Sequence, residues 1–324
     1  MSGTQDLPAI LIHRLPAFNL LFKSKLHNHF TLLYLPLDSP DSTHSFLSRH
    51  AASVRALVAV GPTPVNSQIL DLLPALEIVV CSSAGIDHVD LSECRQRGLL
   101  VTSAGNAFSE DVADYSVALL IDVLRRVSAG NRFVRAGLWP QHGSYPLGSK
   151  LGGKRVGIVG LGSIGSEVAK RLVAFGCSIA YTSRKKKLAV SYPFFENVHD
   201  LAADCNVLIV CCALTDQTRH MINKDVMMAL GKEGVIVNVG RGALIDENEL
   251  VQSLLRGDIG GTGLDVYENE PHVPEELFKL DNVVLSRHVA VLTPESFEAL
   301  QDVIIGNLLA FFSNKPLLSP IQLD

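Results

Sequence analysis

Three charged residues stand just behind apolar runs in the second half of the chain. Arg241 follows Asn238-Val-Gly, Glu270 lies in Asp-Val-Tyr-Glu-Asn-Glu-Pro, and His288 comes soon after the run ending at Leu285. The carboxyl ends of such runs are where ligands meet an open α/β sheet. A guanidinium can polarise a carbonyl and hold a carboxylate. An imidazole titrates near neutrality and can hand over a proton, and a carboxylate beside it keeps it oriented and charged. Hydride transfer to a 2-oxo acid needs those three services. A histidine taken alone is more often structural, so the residue types by themselves make the three candidates.

A hydride needs a donor, and the chain carries the pattern for one. Residues 155 to 165 read Arg-Val-Gly-Ile-Val-Gly-Leu-Gly-Ser-Ile-Gly, a short apolar strand running into G-x-G-x-x-G. A helical pattern from Ile164 to Phe175 and a second strand from Cys177 to Ser183 follow. Gly160 allows the tight turn, Gly162 lets the backbone approach a pyrophosphate, and Gly165 lets the helix pack close to the strand. The helix N-terminus then offers N–H groups and partial positive charge to phosphates. This context predicts a bound dinucleotide. A chain selecting NAD usually has Asp or Glu about 20 residues past the fingerprint, on the ribose 2′-OH. Here Ser183 and Arg184 stand there, followed by Lys185, Lys186 and Lys187. A hydroxyl beside a guanidinium can hydrogen-bond and neutralise a 2′-phosphate, so NADP (NADPH) is the expected cofactor. Lys186 and Lys187 read as a solvated turn.

Short β-rich runs alternate with helical patterns throughout. Strands are expected at Ala9–Ile12, Thr31–Leu35, Ala56–Val60, Ile78–Cys81, the fingerprint, Val207–Cys212, Val235–Val239, Gly263–Val266 and Val283–Leu285. Such alternation predicts parallel sheets covered by helices, an α/β fold. Because the fingerprint arrives halfway, a complete α/β unit must precede it, which gives two domains. A seam near Ser103 to Ser109 precedes a long helical stretch from Asp111 to Val127. Asp246 with Glu249 opens a helix ending near Arg256 before Gly257, and Thr293-Pro294 opens the last helix, which reaches Phe312. That helix is expected to return to the first domain. The division is then 1–104 with 291–324 for substrate and 105–290 for the nucleotide, with a hinged cleft as the reaction site.

The chain's 324 residues are 47% hydrophobic with a formal net charge of −5. No basic face suggests nucleic acid, and no apolar stretch is long enough to span a bilayer. The six cysteines show no metal-type spacing and read as buried thiols in a reducing compartment. No metal is expected, and the cytoplasm is the default location.

Seven ordered motifs then make the chain resemble the D-isomer-specific 2-hydroxyacid dehydrogenase family, on its plant glyoxylate/hydroxypyruvate and hydroxyphenylpyruvate reductase branch. They are Ser82 to His88, Asn106 to Asp114, the fingerprint, Leu214 to Thr218, Asn238 to Gly242, Gly263 to Pro271 and the His288 segment. The resemblance implies a Rossmann domain inserted in a flavodoxin-like substrate domain, both doubly wound. It implies that Arg241 binds the substrate carboxylate and keto oxygen, His288 is the general acid/base and Glu270 pairs with it. N–H groups around Ala84 and Gly85 would receive the carboxylate. Leu161, Gly162, Ser163 and Ile164 would meet the pyrophosphate, with Ser183, Arg184 and Lys185 at the 2′-phosphate. Cys212 and Ala213 would pass beneath the adenosine, Val239, Gly240 and Asp265 would lie near the nicotinamide, and Trp139 would either reach a partner's active site in a homodimer or only pack there. The resemblance leaves glyoxylate, hydroxypyruvate, pyruvate and hydroxyphenylpyruvate open as substrates. A nucleotide-sensing corepressor of the same fold is the rival reading, disfavoured by retention of Arg241, Glu270 and His288. One departure is Arg287, where the family commonly has proline before the histidine. It adds a cation that would either disfavour a protonated His288 or turn out to solvent.

Overall fold

The computed structural model describes residues 7–15, 23–34 and 40–323. Strands apolar at every position cannot face water on either side, so they pair in parallel and take helices on both faces. The chain divides into two units, residues 1–108 with 293–324 and residues 109–292.

In the first unit, β1 (Ala9–Arg14), β2 (Thr31–Tyr34), β3 (Ala56–Val60), β4 (Ile78–Cys81) and β5 (Leu100–Thr102) form one parallel sheet in the order β2-β1-β3-β4-β5. This is the flavodoxin-like order. Its core gathers Leu11, Leu57, Val79 and Val101 with helix residues such as Leu47 and Leu70. The helix Pro294–Phe312 belongs to this unit and packs on β4. It starts with a capping box, in which the Thr293 hydroxyl accepts from Ser296 N at 3.0 Å and the Ser296 hydroxyl answers to Thr293.

The second unit holds β6 (Arg155–Val159), β7 (Ser178–Thr182), β8 (Phe194–Phe195), β9 (Val207–Val210), β10 (Val235–Asn238), β11 (Gly261–Leu264) and β12 (Val283–Leu285). Its sheet runs β12-β11-β10-β9-β6-β7-β8, all parallel. Counted from β6 this is the Rossmann order with one strand added beyond β11. The register aligns the strand ends: Val159 lies opposite Thr182 and Val210, Val210 opposite Asn238, Asn238 opposite Leu264, and Leu264 opposite Leu285. Loops starting at Gly160, Ser183, Cys211, Val239, Asp265 and Ser286 therefore leave the sheet along one edge. That edge carries most of the candidate residues.

Several expected strands differ from those formed. β5 and β8 are short strands that the pattern did not suggest. β11 spans Gly261–Leu264 rather than Gly263–Val266, because a Gly-Gly-Thr-Gly stretch mimics a turn yet is paired on both sides, by β10 and β12. Cys211, Cys212 and Val239 lie beyond their strands. Leu35 lies outside the described residues. No helix among the described residues is long and apolar enough to cross a membrane.

Candidate active site

The turn after β6 is shaped by contacts only glycine permits. Gly160 has φ +101°, and a Cβ there would sit 2.7 Å from the backbone of Cys212. At Gly165 a Cβ would come within 2.2 Å of the Gly160 carbonyl, so the helix Ser163–Ala174 is pulled against the strand. A Cβ at Gly162 would meet nothing within 4 Å, and no side chain caps the helix at this residue. Space above Gly162 and an uncapped helix N-terminus are what a pyrophosphate requires, so the turn fits a dinucleotide. Gly162 and Ser163 are exposed and Ile164 half-buried, whereas Leu161 is 3% exposed and puts its side chain into the core, leaving only its backbone at the turn.

Farther along the edge, the half-buried Ser183 donates its hydroxyl to the Lys185 carbonyl at 2.7 Å, which folds the loop after β7. Arg184 and Lys185 are exposed beside it. The Cys211 thiol donates to the Gly160 carbonyl at 3.3 Å and the Thr218 hydroxyl to the carbonyl of the exposed Ala213 at 2.8 Å. Cys212 thus runs against the glycine turn, and Ala213 follows it in the chain.

At the other end of the edge His288 and Glu270 meet. His288 Nδ1 lies 2.8 Å from Glu270 Oε2, and Glu270 Oε1 accepts from Tyr267 N at 3.1 Å. Burial pushes the Glu270 carboxyl up, but the His288 bond and charge, the Tyr267 N–H and the Arg241 charge together hold it below its ordinary value. With Nδ1 engaged, Nε2 is the ring nitrogen left to exchange a proton. His288 holds φ +57°, a left-handed conformation costly for a residue with a Cβ. Four bonds hold it there. The Asp265 carbonyl accepts from His288 N at 2.7 Å, while the Asp265 carboxylate accepts from Ser286 Oγ, Val289 N and Ala290 N at 2.7, 2.9 and 3.0 Å.

Half-buried Arg241 sits on the loop after β10, beside Val239 and Gly240. Asn238, 1% exposed, clamps that loop: its Oδ1 accepts from Gly240 N at 3.0 Å and its Nδ2 donates to the Arg241 carbonyl at 2.8 Å. Gly242 presses so closely on the next loop that a Cβ would lie 1.8 Å from the Tyr267 carbonyl carbon. The Arg241 and Glu270 loops are therefore locked together.

The D-isomer specific 2-hydroxyacid dehydrogenase NAD binding domain, as a family model, matches residues 117–290. A glyoxylate/hydroxypyruvate reductase of Arabidopsis thaliana is 54% identical over 324 residues, all of both chains. This chain belongs to the D-isomer-specific 2-hydroxyacid dehydrogenase family. Hydroxyphenylpyruvate reductase of Plectranthus scutellarioides is 46% identical over 276 residues, 85% of this chain and 88% of that one. Among solved structures, the NADPH-dependent glyoxylate/hydroxypyruvate reductase SmGhrB from Sinorhizobium meliloti, in complex with NADP and malonate, aligns with TM-score 0.86 and 35% identity over 98% of this chain and 97% of that one.

Within this dehydrogenase framework some residues take tasks that the sequence did not suggest. Asp265 is 1% exposed and spends its carboxylate on the His288 loop, so it shapes that loop. Asn238, Tyr267 and Gly242 support the site yet carried no assigned role, although all three lie inside quoted motifs. The Tyr267 hydroxyl donates to the Ser286 carbonyl at 2.8 Å and ties the Glu270 loop to the His288 loop. Trp139 begins the short helix Trp139–His142 and is 61% exposed. In the first unit, exposed Ala84 and half-buried Gly85 lie on the loop following β4. Arg287, the residue before His288, is exposed, as His288 is.

Proposed function

We propose that this chain reduces small 2-oxo acids, glyoxylate and hydroxypyruvate foremost, to 2-hydroxy acids with NADPH. The cofactor, held at Leu161 to Ile164 with Ser183, Arg184 and Lys185 at its 2′-phosphate, supplies the hydride. Cys212 and Ala213 underlie its adenosine, and Val239 and Gly240 border its nicotinamide. Arg241 holds the substrate carboxylate and polarises the keto oxygen. His288 gives its Nε2 proton to the forming alkoxide, and Glu270 keeps the ring turned. We assign the backbone N–H groups that receive the carboxylate to Ala84 and Gly85, on the strength of their motif.

The observation that carries this reading is the 2.8 Å His288–Glu270 contact with the Arg241 charge felt at the same carboxylate. A corepressor would have no need of such a pair. The six cysteines are unpaired, which suits a cytoplasmic protein. Val127, Val134, Trp139 and Leu147, each more than half exposed on one segment, suit a homodimer in which Trp139 packs on the partner. Mixing the protein with NADPH and glyoxylate tests the proposal: absorbance of the reduced nicotinamide should fall, more slowly with NADH. No fall with any small 2-oxo acid would overturn it.

A further inference from the structure

Beside the His288–Glu270 pair, and wholly within the second unit, lies a cavity of about 430 Å³. Pro271, Val273, Phe278 and Leu285 give it apolar walls, and Arg287 and His288 are among its other lining residues. Its volume falls in the range of small-ligand sites. Arg287 is exposed and forms no ion pair or hydrogen bond with any described residue. Glu270 also lines the cavity, with its Oε2 engaged by His288 Nδ1 and its Oε1 by Tyr267 N. The cavity thus has an uncommitted guanidinium, apolar sides and a shared wall with the candidate proton donor.

We infer that this cavity receives the far end of a longer substrate, a 2-oxo acid with a second carboxylate beyond a short methylene spacer. The inference rests on the reductase reading above. The methylenes lie against Val273, Phe278 and Leu285, and the distal carboxylate takes two N–H groups of the Arg287 fork. The reaction is the same reduction: hydride goes to the keto carbon, the proton from His288 goes to its oxygen, and the distal group is unchanged. Arg287 thereby sets specificity and takes no part in the chemistry.

The test compares kcat/KM for 2-oxoglutarate and for 2-oxopentanoate, similar in length but without the second charge, using NADPH and the full chain. In the parent the dicarboxylate should be favoured. In Arg287→Leu the ratio of the two should fall about five- to tenfold, the scale of one charge-assisted contact at a solvated site. Arg287→Glu should lower it further and Arg287→Lys only partly. An unchanged ratio in both Arg287→Leu and Arg287→Glu would overturn the inference. So would a parent that reduces glyoxylate but not 2-oxoglutarate, with the reductase reading left standing. A parent that reduces neither would remove both.

Discussion

Replacing Gly242 by alanine tests how tightly the loops of the site depend on one another. A Cβ at this position would lie 1.8 Å from the Tyr267 carbonyl carbon, 2.1 Å from its oxygen and 2.2 Å from Glu268 N. Ordinary contact begins near 3.4 Å, so backbone must give way by roughly 1.5 Å, and none of the three atoms is the end of a flexible side chain. The peptide that retreats follows the Tyr267 N–H, which holds Glu270 Oε1, and the residue that advances is next to Arg241. Misplacing catalytic groups by about 1 Å costs on the order of 10²-fold in rate. Gly242→Ala should therefore lower kcat/KM for glyoxylate by about 10²-fold, with an overpacking loss of about 1–3 kcal/mol in stability. Steady-state kinetics at a temperature where the variant is folded, checked by circular dichroism, separates the two effects. Parental kcat/KM in a folded Gly242→Ala would refute the coupling of the Arg241 and Glu270 loops.

Arg184→Asp should move cofactor preference from NADPH toward NADH, read as the ratio of kcat/KM for the two, because a carboxylate repels the 2′-phosphate; an unchanged ratio counts against that assignment. Glu270 is held below its ordinary 4.5 by the pairing that outweighs its burial, so the stability it adds is present above pH 4.5 and lost as the pH falls through the lowered value. Urea midpoints of the parent and of Glu270→Gln should accordingly differ most near neutrality and converge in acid. A gap that persists or widens there would contradict the pairing.

Much of the fold was legible because burial on both faces leaves an unmistakable mark. Val207–Val210 and Val235–Asn238 are apolar at nearly every position, and each could be only an interior parallel strand. Leu100–Thr102 escaped notice because three residues after a glycine carry too little pattern, and Phe194–Phe195 is shorter still. Gly261–Leu264 was displaced by its own composition: glycine speaks for a turn locally, while Asn282 O and Val123, 2.5 and 2.9 Å from a Cβ at Gly261, demand it tertiarily. In the site, Arg241, Glu270 and His288 could be named as candidates because their chemistry is specific. Asn238 could not, since an asparagine ending a strand is an ordinary turn former until its two polar atoms are seen on one loop. Nor could the left-handed backbone of His288, which depends on an aspartate more than twenty positions earlier in the chain.

The rate of NADPH oxidation in a single turnover with glyoxylate, measured by stopped flow for the parent and His288→Gln, bears most directly on the proton transfer at the centre of this account. Glutamine can still hydrogen-bond but cannot deliver a proton, so the rate should fall by about 10²–10⁴-fold while NADPH binding persists. A His288→Gln rate within a few-fold of the parent would mean that the proton comes from elsewhere.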